Sequence, residues 1–246
     1  MKYKIIGKIL IIDNELENSS DYNNLLKKHN VETIIKINSI DGQMREPTIK
    51  ILAGENNTET IHKENGCYFK LDLSKVMWAK GNNNERLRIS KLVKKGETVT
   101  DMFSGIGYFT IPIAVHSKAE KINAIEINPN SHHYLLENIK LNNINKNRIN
   151  PILGDCNIET PKYKADRIIM GYVKTTHHYL NSAINGLKNN GILHYHETVP
   201  EKLIETRPLE NIKKAAENRE VELINIQKVK KYSPGVWHVV IDAKIN

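Results

Sequence analysis

Asp101-Met102-Phe103-Ser104-Gly105-Ile106-Gly107-Tyr108-Phe109 decides how this chain folds. Ahead of it, residues 97–100 rise into a short β-branched run of the kind that forms a buried parallel strand, and behind it residues 109–115 turn into a helix. Gly105 and Gly107 allow positive φ and put no Cβ between the main chain and a ligand, while the helix start offers unpaired N–H groups. Such a turn suits a nucleotide, although many strand-to-helix turns use glycine without any ligand.

Two features narrow the reading. The third glycine of the dinucleotide fingerprint falls at Thr110, which argues against a pyrophosphate packed on the helix. Residues 121–125 read as the next strand, and Glu126 stands at its end, nineteen residues past Gly107. A carboxylate there accepts hydrogen bonds from both ribose hydroxyls, each charge-assisted bond being worth roughly 1.5–3 kcal/mol. Adenosine carried on something other than phosphate fits this pattern, and S-adenosylmethionine fits it best.

From residue 97 onward strands and helices alternate regularly. Strands are expected over 149–153, 166–170 and 191–196, and helices over 129–141, 175–187 and 201–219. Residues 221–229 and 236–242, joined through the turn at 232–235, close the chain as a hairpin. The class is therefore α/β: a Rossmann-like, mostly parallel seven-stranded sheet with an antiparallel edge strand. Ligands lie beyond the C-terminal strand ends, where Gly105, Glu126, Asp155 and Gly171 fall. Asp155 there either accepts from an adenine amino group or caps the following loop.

Residues 1–74 read as a small α+β domain with no chemistry of its own, and 75–246 as the donor-binding catalytic domain. Asn65-Gly66 marks a hairpin. Residues 84–93 form a helix that Asn82 or Asn83 can cap, with Leu87, Leu92 and Val93 toward the core. Arg86 and Arg88 sit near its N-terminal end, where the helix dipole disfavours a cation unless an anion is close.

The chain is 246 residues long, and Lys plus Arg exceed Asp plus Glu by 36 to 28, a mild bias toward a polyanionic partner. Lys80, Arg88, Lys94 and Lys95 are the candidate basic residues near the junction. The only cysteines, Cys67 and Cys156, lack metal or disulfide spacing. No signal peptide or membrane-spanning run is present, so a cytoplasmic protein without a metal is expected.

Residues 59–76, Glu85-Arg86-Leu87-Arg88, the 101–109 stretch and residues 124–129 together resemble a pair of sister tRNA-modifying families across nearly the whole chain. One sister methylates a ring nitrogen of the guanosine that follows the anticodon. The other transfers the aminocarboxypropyl group of S-adenosylmethionine to the tricyclic 4-demethylwyosine base at that position in tRNA-Phe, during wybutosine synthesis. Guanine-nitrogen methyltransferases tend to carry an Asn-Pro-Pro type turn after the fourth strand; this chain reads Ile169-Met170-Gly171-Tyr172-Val173, with no amide side chain. It is thus more similar to the archaeal aminocarboxypropyltransferases. The methylating sister and a non-catalytic RNA-binding protein of the same fold are the alternatives. The N-terminal module resembles the middle domain of the methylating sister, with a further leading domain absent.

The resemblance implies a class I methyltransferase fold and donor contacts at Arg86, Glu126 and the Asp155-Cys156 pair; Phe103, Gly105 and Gly107 of the glycine turn are the further cofactor-binding candidates. A serine usual in the family seven residues before Arg86 is Ala79 here, which leaves only a backbone contact at that position. The partner implied is the anticodon loop of tRNA, met by a monomer. His196, Glu197 and Tyr172 are candidates for proton transfer or base stacking, with no single general base required. His194 shares a strand face with His196, so at least one of the two is expected to be structural.

Overall fold

The computed structural model describes residues 3–173 and 175–246. The N-terminal sheet is built from β1 (Tyr3–Ile6), β2 (Ile9–Ile12), then, after helix α1 (Ser19–His29), β3 (Thr33–Asp41) and β4 (Glu46–Gly54), in the order β1-β2-β3-β4. β2 is central and apolar on both faces, so it feeds two cores. Leu10 and Ile12 join Ile34 beneath Tyr22, Leu25 and Leu26 of α1. Ile9 and Ile35 face the other way and pack with Phe69, Leu71 and the glycine-turn residues Ile106 and Phe109. Apolar packing thus runs without interruption from this sheet into the rest of the molecule.

β5 (Glu59–Glu64) and β6 (Cys67–Asp72) pair antiparallel about Asn65-Gly66, and both turn residues have positive φ (51° and 75°), as a tight primed turn requires. Helix α2 (Asn83–Leu92) follows a 3-10 turn at Lys80–Asn82. Its orientation corrects the sequence expectation. Leu92 is exposed and Leu87 half-buried, whereas Glu85, Arg86, Ile89 and Ser90 are buried. Half of the buried face of α2 is charged, and both charges, Glu85 and Arg86, are held in ion pairs. Asn82 occupies the N-cap position, but its side chain makes no capping bond.

The second half runs β7 (Thr98–Asp101), α3 (Thr110–His116), β8 (Lys121–Glu126), α4 (Pro129–Leu141), β9 (Ile149–Leu153), α5 (Cys156–Glu159), β10 (Ala165–Met170), α6 (Leu180–Gly186), β11 (Leu187–Pro200), α7 (Arg207–Ala216), β12 (Val221–Ser233) and β13 (Val236–Ile245). The sheet order is β12-β13-β11-β10-β7-β8-β9. Strands β9 through β11 are parallel, and β13 is antiparallel to both neighbours. The antiparallel strand therefore lies one place in from the edge, which β12 occupies. The winding reverses between β7 and β10, and the crevice above that switch point is where an α/β sheet takes its ligand.

Three expected elements differ, the first being the helix expected over 175–187, which is a 3-10 turn at Thr176–Tyr179 followed by α6. The helix expected over 201–219 is a 3-10 turn at Glu201–Leu203 followed by α7, which restarts at Arg207-Pro208, where proline's fixed φ suits a first turn. β11 (Leu187–Pro200) extends four residues beyond the expected 191–196 at each end, and β13 pairs with it from Gly191 through Pro200. Among the described residues no helix is long and apolar enough to cross a membrane.

Candidate active site

The glycine turn after β7, the ends of β8 and β9 and the turn after β10 open onto one cavity, closed from the other side by residues 43–45, by Met77, Ala79 and Asn82, and by the β12–β13 hairpin. Phe103, Gly105, Glu126, Asp155, Cys156 and Tyr172 line it, and so do Ala79 and Arg86 from the approach to α2. Gly107, His196 and Glu197 do not.

Glu126 sits at the C-terminal end of β8, its carboxylate fixed by two main-chain donors. The Gly105 N–H donates to Oε2 and the Asn128 N–H to Oε1, both at 2.7 Å. Burial raises this carboxyl above its ordinary value, against the lowering effect of those N–H groups. Gly105 has φ +55°, and a Cβ there would lie 2.4 Å from the Tyr108 ring, so this turn closes only with glycine. Gly107 also needs its positive φ of 99°, but for another reason: its Cβ would meet Ile111 Cγ1 at 2.6 Å and Leu135 Cδ1 at 3.1 Å. Gly107 permits helix packing beneath the turn and is corrected from a ligand contact to a packing position.

Asp155 caps α5, accepting from the Asn157 N–H at 2.8 Å through Oδ1, while its side chain also borders the cavity. The Cys156 thiol is pushed up to about 12 by burial and the neighbouring Asp155 charge. Phe103 stacks on Tyr172 with ring centroids 5.2 Å apart and meets Tyr179 edge-on at 5.1 Å. The Arg45 guanidinium lies 5.8 Å from the Tyr172 ring centroid.

Arg86 is 1% exposed. Nη1 donates to Glu64 Oε1 at 2.7 Å and Nη2 to the Ala79 carbonyl at 2.9 Å, with the guanidinium 4.5 Å from the Trp78 ring and 5.0 Å from Tyr108. The anion that the helix dipole called for is the protein's own Glu64. Arg88 is bound internally as well, to Glu85 and Asp242. Arg86 Nε and Asn82 Oδ1, both from cavity-lining residues, are buried without a hydrogen-bond partner. A buried donor and acceptor left open beside a cavity are what a polar ligand satisfies.

His196 and Glu197 are corrected as site residues. The long β11 carries both into the sheet, where Glu197 accepts from Arg207 Nε at 2.8 Å and His196 Nδ1 lies 3.0 Å from His238 Nε2. Burial, then the His238 and His194 charges, hold His196 well below the ordinary imidazole value. His194 is the satisfied structural histidine, between Asp242 and Arg167 at 2.6 Å each. The imidazole that does face the cavity is His238, which burial and the Lys230 charge lower to about 4. Only the strand register, which sets Thr198 against His238, brings this residue into view. Lys94 and Lys95 line a separate depression with Asp166, Lys188 and Lys244, at the other end of the strands; the Lys80 side chain lies outside the described residues.

Asp101, at the head of the glycine turn, is fully buried; Oδ2 accepts from Thr110 Oγ1 at 2.8 Å and Oδ1 has no partner. Burial pushes its carboxyl up to about 7 from 3.8. The protonated acid therefore favours the fold at low pH, and that contribution is lost as pH rises toward and through about 7. Relative to Asp101→Asn, the wild type is expected to lose ~1.4 kcal/mol per pH unit between about pH 4 and 7 and then level off. Urea denaturation of both proteins across that range checks this, and parallel pH curves would count against it.

A cavity at the switch point of this strand order, lined by a glycine turn and a buried carboxylate at the end of the next strand, is the donor site of a Rossmann-like transferase fold. Residues 60–224 match the TRM5/TYW2 methyltransferase domain, and the chain belongs to that family. It is 48% identical over 247 aligned residues to the tRNA(Phe) (4-demethylwyosine(37)-C(7)) aminocarboxypropyltransferase of Methanocaldococcus jannaschii, covering 99% of this chain and 98% of that protein. The crystal structure of M. jannaschii TYW2 in complex with AdoMet matches with a TM-score of 0.80 and 44% identity, over 100% of this chain and 99% of that one. Trm5b from Pyrococcus abyssi gives a TM-score of 0.87 and 36% identity, covering 100% of this chain and 75% of that one. Backbone shape alone does not separate the two sisters; sequence identity favours the first.

Proposed function

We propose that this protein transfers the 3-amino-3-carboxypropyl group of S-adenosylmethionine to 4-demethylwyosine, the tricyclic base next to the anticodon of tRNA-Phe, leaving methylthioadenosine. The turn after β10 is the observation that carries the choice. A Cβ on Gly171 would stand 2.7 Å from Phe109 Cε2, so the buried Phe109 ring occupies the space that an amide side chain would need. Beyond it the wall is the stacked Phe103–Tyr172 pair, a flat surface suited to a fused-ring base.

The donor, when bound, supplies a sulfonium whose attached carbons are electrophilic, so the carbon aimed at the base decides the reaction. Glu126 receives the ribose hydroxyls, Asp155 and Cys156 border the adenine, and Arg86 and the Ala79 carbonyl hold the methionine end. Fixing reactants at about 3–3.5 Å accounts for several kcal/mol of barrier lowering by itself. His238, unprotonated at neutral pH, faces the cavity as an acceptor for the proton that leaves the base carbon. Residues 1–74 act as a unit that positions the anticodon loop of tRNA, residues 75–246 hold the donor, and the working form is a monomer.

Precursor-bearing tRNA offered with donor labelled in either the methyl or the carboxyl carbon tests the reading. Carboxyl label is expected in the RNA, with methyl label retained in methylthioadenosine. Methyl label in the RNA would assign the chain to the methylating chemistry, and no label in the RNA would leave a binding protein.

A further inference from the structure

We propose that Lys230 of β12, flanked by Arg45, forms an anion subsite at the end of the cavity remote from Glu126 and Asp155, taking either the carboxylate of the transferred arm or an RNA phosphate beside the target base. This deepens the donor assignment above and rests on it.

Lysines on an edge strand are ordinarily explained as a guard against edge-to-edge pairing. That explanation covers Lys228 and Lys231, whose ammonium groups lie 5.1 and 5.7 Å from the Trp237 ring centroid. It does not cover Lys230. The pairing with β13 slips between Lys228 and Lys230, and such a bulge re-aims a side chain onto the other face. Lys230 consequently lines the cavity. Gly81 makes room for its stem, since a Cβ there would stand 3.0 Å from Lys230 Cδ and 3.2 Å from Nζ.

The surroundings of this ammonium are cationic. Burial, then Arg86, Lys4 and Arg45, lower Lys230 from its ordinary value. Arg86 has Glu64 as counter-ion, but among the described residues no carboxylate lies within ion-pair reach of Lys230 or Arg45. The acids of the cavity, Glu126 and Asp155, follow β8 and β9 at the opposite side of the sheet from β12. The cavity is thus acidic where ribose and adenine are placed, and Lys230 enters it from the far strand with no carboxylate to meet it, while Arg45, beside Tyr172 and next to the Met44 carbonyl that accepts from Asn128, stands between the two. Half-burying a lysine among cations is costly unless an anion arrives to meet it.

Calorimetry on Lys230→Met and Lys230→Arg with S-adenosylmethionine, its decarboxylated form and methylthioadenosine, together with tRNA-transcript binding at two salt concentrations, tests the subsite. If the arm's carboxylate is held, Lys230→Met weakens S-adenosylmethionine about tenfold or more, leaves the other two nucleosides unchanged, and Lys230→Arg recovers most of the loss. If a phosphate is held, the nucleosides are unaffected, while tRNA binding weakens and its salt slope falls by about 1. A Lys230→Met protein that matches wild type on every probe overturns the subsite. Failure of wild type to bind methylthioadenosine would instead overturn the donor assignment.

Discussion

Glu64→Ala is expected to destabilise the protein by about 3–5 kcal/mol, the cost of leaving a buried charge without its partner. The Glu64 and Arg86 side chains are 4% and 2% exposed, and their contact at 2.7 Å ties β5 to α2 across the cavity wall. With the carboxylate gone, the guanidinium keeps one neutral acceptor, the Ala79 carbonyl, and the faces of Trp78 and Tyr108. None of these neutralises it. The paired replacement Glu64→Leu with Arg86→Met removes both charges and is expected to recover much of the stability, since apolar substitutes for a buried pair are often neutral or better. It should not recover donor binding, because the Arg86 donors on the cavity wall are gone. Urea denaturation gives the stabilities and calorimetry the affinity. A loss below about 1 kcal/mol for Glu64→Ala would mean that Arg86 swings into the cavity and is rehydrated there.

What could be read in advance divides along physical lines. Periodicity is local, so the strand–turn–helix at 97–116, the hairpins and Glu126 at the end of β8 were legible from residue types alone. Arg86 was visible as a cation at the wrong end of a helix, yet its partner Glu64 is twenty-two residues away and belongs to a different strand. His196 and Glu197 were misplaced because their positions depend on how far β13 pairs along β11, which no single segment encodes. The same holds for His238 and Lys230, which reach the cavity through sheet register and a bulge. Gly107 shows the limit of a motif: glycine is required there, but by Ile111 and Leu135 beneath the turn.

Glu126→Ala is expected to weaken S-adenosylmethionine by about 2–4 kcal/mol, roughly 30- to 1000-fold in Kd, if both ribose hydroxyls are bound. Its two oxygens are already oriented by the Gly105 and Asn128 N–H groups, so the carboxylate loses little freedom when a ribose arrives, and most of each charge-assisted bond appears as affinity. Because the adenosyl moiety is common to donor and product, methylthioadenosine should lose as much as S-adenosylmethionine, unlike the pattern expected for Lys230→Met. Affinity should also fall as pH is lowered through the raised pKa of this carboxyl, since protonation removes the acceptor charge. Glu126→Gln, which keeps one acceptor oxygen without the charge, should fall between wild type and alanine and lose that acid dependence. Unchanged nucleoside affinity in Glu126→Ala would place the ribose elsewhere, and with it the direction in which the donor lies along the cavity.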